Sequence, residues 1–180
     1  MAQFLAFSPD VMVNGETVLA VVNGMGVFKE ISLKILAENG IDNPKPGEWY
    51  SQQSWLNTFK TISEQIGQVT LHNIGKAIPE NAEWPPQIDT IEKALESIDI
   101  TYHNNHKNGE IGNYSYIQID DRSAKIICNN PYPCMFDKGI IESLVKKFRV
   151  PGSRMINVKH DENGSCRTQG GDSCTYIIKW

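Results

Sequence analysis

Near residue 110 the spacing of apolar residues changes, and this change restricts the fold of the chain more than any other feature. Before it, Val18, Val21, Val22, Met25, Phe28, Ile31 and Ile35 recur at steps of one, three or four, as do Ile88, Ile91, Leu95, Ile98 and Tyr102. Those steps line one face of an α-helix. After it, residues 113–119 and 124–128 are rich in Ile and Tyr and alternate, the pattern of a β-hairpin. The first half predicts a long helix from an Asn14 cap to Gly40. Two helices follow between Ser51 and Glu80, meeting near Gly67, and a fourth runs through His103 and His106. Phe136, Ile140, Leu144 and Phe148 mark another helix, closed by Pro151-Gly152, and residues 155–160 and 174–179 read as paired strands. Helices followed by strands imply an α+β fold, with a helical N-terminal half packed on a four-stranded antiparallel sheet and one helix inserted between its two hairpins. With 180 residues the chain makes one domain, 1–180, whose helical half spans 1–110 and whose sheet half spans 111–180.

Charge and hydropathy exclude several functions. Seventeen basic against 21 acidic residues leave a net charge of −4, which offers no pull on nucleic acid or anionic lipid. The longest apolar run, 18–22, is far below the roughly 20 residues that span a bilayer, so no membrane partner is expected. The first ten residues lack the basic and apolar segments of a secretory signal, which points to the cytoplasm.

All four cysteines, at 128, 134, 166 and 174, lie in the strand-rich half. In a reducing compartment, clustered cysteines are metal ligands or catalytic thiols more often than disulfides. On the strand 155–160, His160 shares a face with Ile156 and Val158, at the end beside which Cys174 opens the partner strand. The loop from Cys166 to Cys174 has Gly170 and Gly171 at its centre and can fold back on itself. Cys134 begins a helix, where the backbone N–H groups favour a thiolate. Three thiolates and one imidazole form a closed tetrahedral zinc site, a structural one. Buried free thiols, a disulfide, or a reactive Cys134 with His160 as its base are the alternatives.

The pattern Pro131-Tyr132-Pro133-Cys134-Met135-Phe136-Asp137-Lys138-Gly139-Ile140, then Val158, then Cys166-x3-Gly170-x3-Cys174-Thr175-Tyr176-x-Ile178, resembles the vinyl-reductase-type (4-vinyl reductase) domain family. That family includes sensory modules of aromatic-responsive bacterial regulators and shares its fold with acyl-binding trafficking-complex subunits. The resemblance covers residues 131–178. It implies a zinc held by Cys134, Cys166 and Cys174, with an acidic fourth ligand three places before Cys166. Asn163 stands there in this chain, so His160 takes the place, with Glu162 and Cys128 behind it.

The resemblance also implies a stand-alone sensor, with a hydrophobic small molecule in an apolar pocket, a homodimer formed through the N-terminal helices and a separate output protein. Trp55, Phe59, Leu71, His72, Ile74, Trp84, Tyr102 and His106 are the candidate lining, because aromatics with a few polar groups suit such a ligand. Catalysis is the lesser reading. A tetrapyrrole reductase would need a hydride source, and no G-x-G-x-x-G fingerprint occurs. The remaining alternative is a haem-binding sensor with His72, His103 or His106 as axial ligand.

Overall fold

The computed structural model describes residues 3–82, 84–85, 88–149 and 156–180. The helix expected from Asn14 to Gly40 is two helices, α1 (Gly15–Gly24) and α2 (Lys29–Glu38). Asn14 does cap α1, its side-chain oxygen accepting from the Thr17 N–H at 3.0 Å. The break falls at Gly26, whose φ of +52° cannot continue an α-helix. α3 (Gln52–Gln65) and α4 (Gln68–Asn81) meet at Gly67 as expected. α5 (Ile91–Asn104) begins after Thr90, whose hydroxyl accepts from the Lys93 N–H at 3.2 Å. It ends before His106, so His103 and His106 do not share a helix face.

Three very short strands were not foreseen. β1 (Met12–Asn14) lies between β2 (Trp49–Ser51) and β3 (His106–Lys107) in a small antiparallel sheet. Two or three residues are too few to show a period. The larger sheet is as expected: β4 (Asn113–Asp120) and β5 (Ser123–Asn129) form one hairpin, β6 (Asn157–His160) and β7 (Cys174–Lys179) pair, and the order is β4-β5-β7-β6, antiparallel throughout. α6 (Cys134–Lys147) connects the two halves of that sheet, so the α+β architecture stands. The predicted helix stop at Pro151-Gly152, the first strand residue Met155, and part of the expected linker 83–86 lie outside the described residues.

Close helix packing holds the helical half to the sheet half. A Cβ at Gly75 of α4 would overlap the Phe136 carbonyl oxygen, and one at Gly139 of α6 would overlap the His72 carbonyl oxygen. These two glycines let α4 and α6 touch backbone to backbone. Gly24 plays the same part between α1 and α4, where a Cβ would strike the Ile74 Cα. Over this contact Trp55, Phe59, Tyr132 and Phe136 form a buried aromatic cluster with ring centroids 4.7–5.9 Å apart.

Candidate functional site

Two places in the molecule concentrate polar chemistry within apolar surroundings. The first is at the C-terminal end of the larger sheet. Antiparallel register puts His160 opposite Tyr176, two residues from Cys174 on the same face. A single helical turn over Arg167–Gln169, ended by Gly170 at φ +86°, returns the chain so that Cys166 reaches the same point. Cys134 enters from the first turn of α6. One ligand atom from each of Cys134, His160, Cys166 and Cys174 can be chosen so that all four lie within 4.8 Å of one another. The sulfurs of Cys134 and Cys166 are 3.8 Å apart, and those of Cys134 and Cys174 2.9 Å. All four cysteines of the chain are free. Neither Glu162 nor Cys128 belongs to the group; Cys128 pairs with Cys174 across β5 and β7 and is fully buried.

Donors surround these sulfurs. Gln3 Nε2 donates to Cys134 Sγ at 3.0 Å, and the Arg167 backbone N–H donates to Cys174 Sγ at 3.4 Å. The Cys174 thiol proton held against Cys134 brings the Cys134 thiol down to about 4 and drives Cys174 upward. Burial raises Cys128. Just behind, the side chain of Arg167 pairs with Asp137 and donates to Asn130, while Tyr114 Oη donates to Asp137 at 2.6 Å. Burial pushes the Asp137 carboxyl up against the opposing pull of Arg167. This pair was missed because charged residues in a sequence read as solvated.

The second place is a narrow chamber between the helices and the sheet, with a cavity volume of about 40 Å³. Trp55, Trp84, Tyr102 and His106, four of the expected lining residues, line it with Thr17, Thr101, Asn105, Tyr132 and Phe136. Of the others, Phe59, Leu71 and Ile74 are fully buried core, and His72 is mostly buried on α4 with its Nε2 2.8 Å from Glu142 Oε2. His103 is half exposed beside Asp99. His106 is buried, and its Nδ1 donates to the Tyr102 carbonyl at 2.7 Å, leaving Nε2 to accept from the Tyr132 hydroxyl at 2.6 Å. Gln52 Nε2 donates in turn to Tyr132 Oη at 3.0 Å. Burial takes His106 down to about 4, so it is neutral at pH 7. Tyr132 stands in the motif at 131–140, and nothing in that motif placed it in the chamber. Three polar atoms of lining residues, Trp55 Nε1, Trp84 Nε1 and Thr101 Oγ1, are buried with no hydrogen-bond partner among the described residues.

No family model matches the sequence, and no curated protein matches it. Solved structures do match the fold. An H-NOX protein from S. oneidensis in its Fe(II) ligation state has a TM-score of 0.69 at 12% identity, over 92% of this chain and 95% of that one. An oxygen-binding H-NOX domain related to soluble guanylate cyclases has a TM-score of 0.65 at 17% identity, over 92% of this chain and 94% of that one. The chain therefore has the H-NOX fold. This overturns the vinyl-reductase-type resemblance and the zinc that it implied on family grounds. The motif covered only α6 and the last strand pair, and carried nothing of the helical half on which the fold depends. Among the described residues no helix is long and apolar enough to cross a membrane.

Proposed function

We propose that this chain is a sensor module on the H-NOX fold that takes a compact small molecule in its helix–sheet chamber and signals to a separate output protein. The observation that carries the reading is a cavity lined by Trp55, Trp84 and Thr101, whose indole N–H groups and hydroxyl are buried with no hydrogen-bond partner among the described residues. The cavity wall itself is apolar, and buried polar groups are nearly always satisfied, so the molecule is apolar with an acceptor that these donors reach by a small side-chain shift. A cavity of about 40 Å³ is far below the ~300–1,000 Å³ range of drug-sized ligand pockets, so the molecule it takes has only a few heavy atoms.

The H-NOX neighbours raise haem as the ligand, and the residues of this chain do not fit it. The middle of the chamber is filled by the rings of Trp55, Tyr102, Tyr132 and Phe136, packed edge to face. Among the described residues no lysine or arginine lines it to receive two propionates. The one buried imidazole has its free lone pair occupied by the Tyr132 hydroxyl. Homodimerisation belongs to the same proposal and is supported by the apolar surface left at the α1–α2 bend, where Val27, Phe28 and Ile31 are exposed.

The test is native mass spectrometry of the purified chain, followed by thermal-shift screening of compact acceptor-bearing molecules. A bound small molecule or a saturable rise in Tm that is lost in Trp84→Phe supports the reading. No shift across the screen, together with an unchanged Tm in Trp84→Phe, contradicts it.

A further inference from the structure

We propose that the outer face of the larger sheet is the docking surface for an acidic amphipathic helix of the output protein. Docking here rests on the separate output protein proposed above and says what that protein must present. Ala124, Ile126 and Cys128 of β5 and Tyr176 and Ile178 of β7 are almost wholly buried, and the residues between them point the other way. Tyr176 donates to the Cys134 carbonyl of α6, and Tyr114 meets the Tyr102 ring of α5, so the helices cover that side. On the open side, antiparallel register sets Ile117, Lys125, Ile177 and Lys159 in one row across the four strands. Ile127 stands one row to one side of it and Lys179 one row to the other. Three isoleucines and three lysines are thereby interleaved over one patch, where Ile117 is 40% exposed.

Charge complementarity names the occupant. The sheet half, 111–180, has ten basic against seven acidic residues, whereas the helical half, 1–110, has seven against 14, so one half is cationic in a chain that is acidic as a whole. Among the described residues no carboxylate forms an ion pair with Lys125, Lys159 or Lys179. The acidic groups stand at the margin: Asp120 at the hairpin end, which feels the charge of Lys179, and Asp161 and Glu162 after β6. Lysines set between isoleucines suit carboxylates that flank an apolar stripe. Four strands span three gaps of about 4.8 Å, about 14 Å in all, which about ten residues of helix cover at about 1.5 Å each. Nucleic acid is the poorer occupant. Tyr114, Tyr116 and Tyr176 alternate onto the covered face and leave no ring among the described residues for bases to stack on.

The probe is a fluorescein-labelled helical peptide of about 14 residues, with leucines at steps of three and four and glutamates beside them. No chamber ligand is needed, so docking and ligand uptake can fail separately. Fluorescence anisotropy should show saturable binding below roughly 1 mM, weakened several-fold between about 50 and about 300 mM salt. Lys125→Gln/Lys159→Gln/Lys179→Gln should weaken it at least about tenfold, and Lys29→Gln/Lys34→Gln/Lys60→Gln, on α2 and α3, should bind as wild type does. If the sheet variant fails to fold, amide shifts of the wild-type chain still decide the matter, because the peptide should move those of Ile117, Lys125, Ile127 and Ile177 most. No saturation up to roughly 1 mM, shifts centred elsewhere such as the α1–α2 bend, or equal binding by the two triple variants would overturn the proposal. So would oligothymidine that takes the same face as tightly as the peptide, which would make it a nucleic-acid surface.

Discussion

Replacing Arg167 with Met should expose how strongly the buried pair beneath α6 holds the fold. Its guanidinium is 1% exposed and its partner Asp137 is fully buried, so the variant leaves a carboxylate in the core with only the neutral groups of Tyr114, Asn130 and Cys128 as donors among the described residues. Removing one partner of a buried pair costs about 3–5 kcal/mol. In a chain of this size each kcal/mol moves Tm by about 2–4 °C, so a fall of about 6–20 °C is expected at pH 7.5. The deficit should depend on pH. Burial already raises Asp137, and losing Arg167 raises it further, so the folded variant binds a proton that the unfolded chain releases. Stability is then gained as pH falls toward the unfolded carboxylate value, and the gap to wild type should narrow between pH 7.5 and 5. Thermal unfolding followed by circular dichroism at both pH values measures this. A loss below about 3 °C at pH 7.5, or a gap that widens on acidification, would refute the reasoning.

Other perturbations test separate parts of the account. Gly139→Ala should drive α4 and α6 apart and cost at least about 2 kcal/mol in urea unfolding, whereas Gly47→Ala, where a Cβ meets nothing but φ is +78°, should cost about 1. Tyr132→Phe removes the hydroxyl shared by His106 and Gln52 and should cost about 1–3 kcal/mol, read by the same titration. His106 is held near 4 against an unfolded value near 6.5, so its share of stability is whole above pH 6.5 and is lost as pH falls toward 4. The wild-type stability curve should drop by up to about 3 kcal/mol across that window, and His106→Gln should flatten it. Asn14→Ala should cost about 1–2 kcal/mol, because Asn14 both caps α1 and donates to Asn105 Oδ1 at 2.7 Å.

The helices, the hairpin and the strand pair were legible because their apolar residues repeat over several periods. The break between α1 and α2 was not, since the stripe from Val18 to Ile35 runs straight across Gly26 and only a positive φ interrupts it. β1, β2 and β3 are too short to carry a pattern. At the sulfur cluster, strand alternation placed His160 beside Cys174, and the structure brings the four expected residues together. At the chamber, aromatic character found Trp55, Trp84, Tyr102 and His106, but it also drew in Phe59, Leu71 and Ile74, which are ordinary core. An apolar residue looks the same in a sequence whether it faces a cavity or another side chain. Likewise, nothing marks Asp137 and Arg167 as partners 30 residues apart. The family was misjudged for a related reason. Cysteines are conspicuous, while the helix arrangement that defines the fold survives at 12% to 17% identity with no motif to quote.

The central claim, an H-NOX fold whose chamber takes a compact ligand instead of a porphyrin, is tested most directly by titrating the purified chain with haemin. The filled aromatic centre, the uncharged lining and the capped His106 predict only the broad Soret absorbance of free or surface-bound haemin, with no saturation at one equivalent and no change in His106→Ala. A sharp Soret band that saturates at one haemin per chain and is lost in His106→Ala would contradict it.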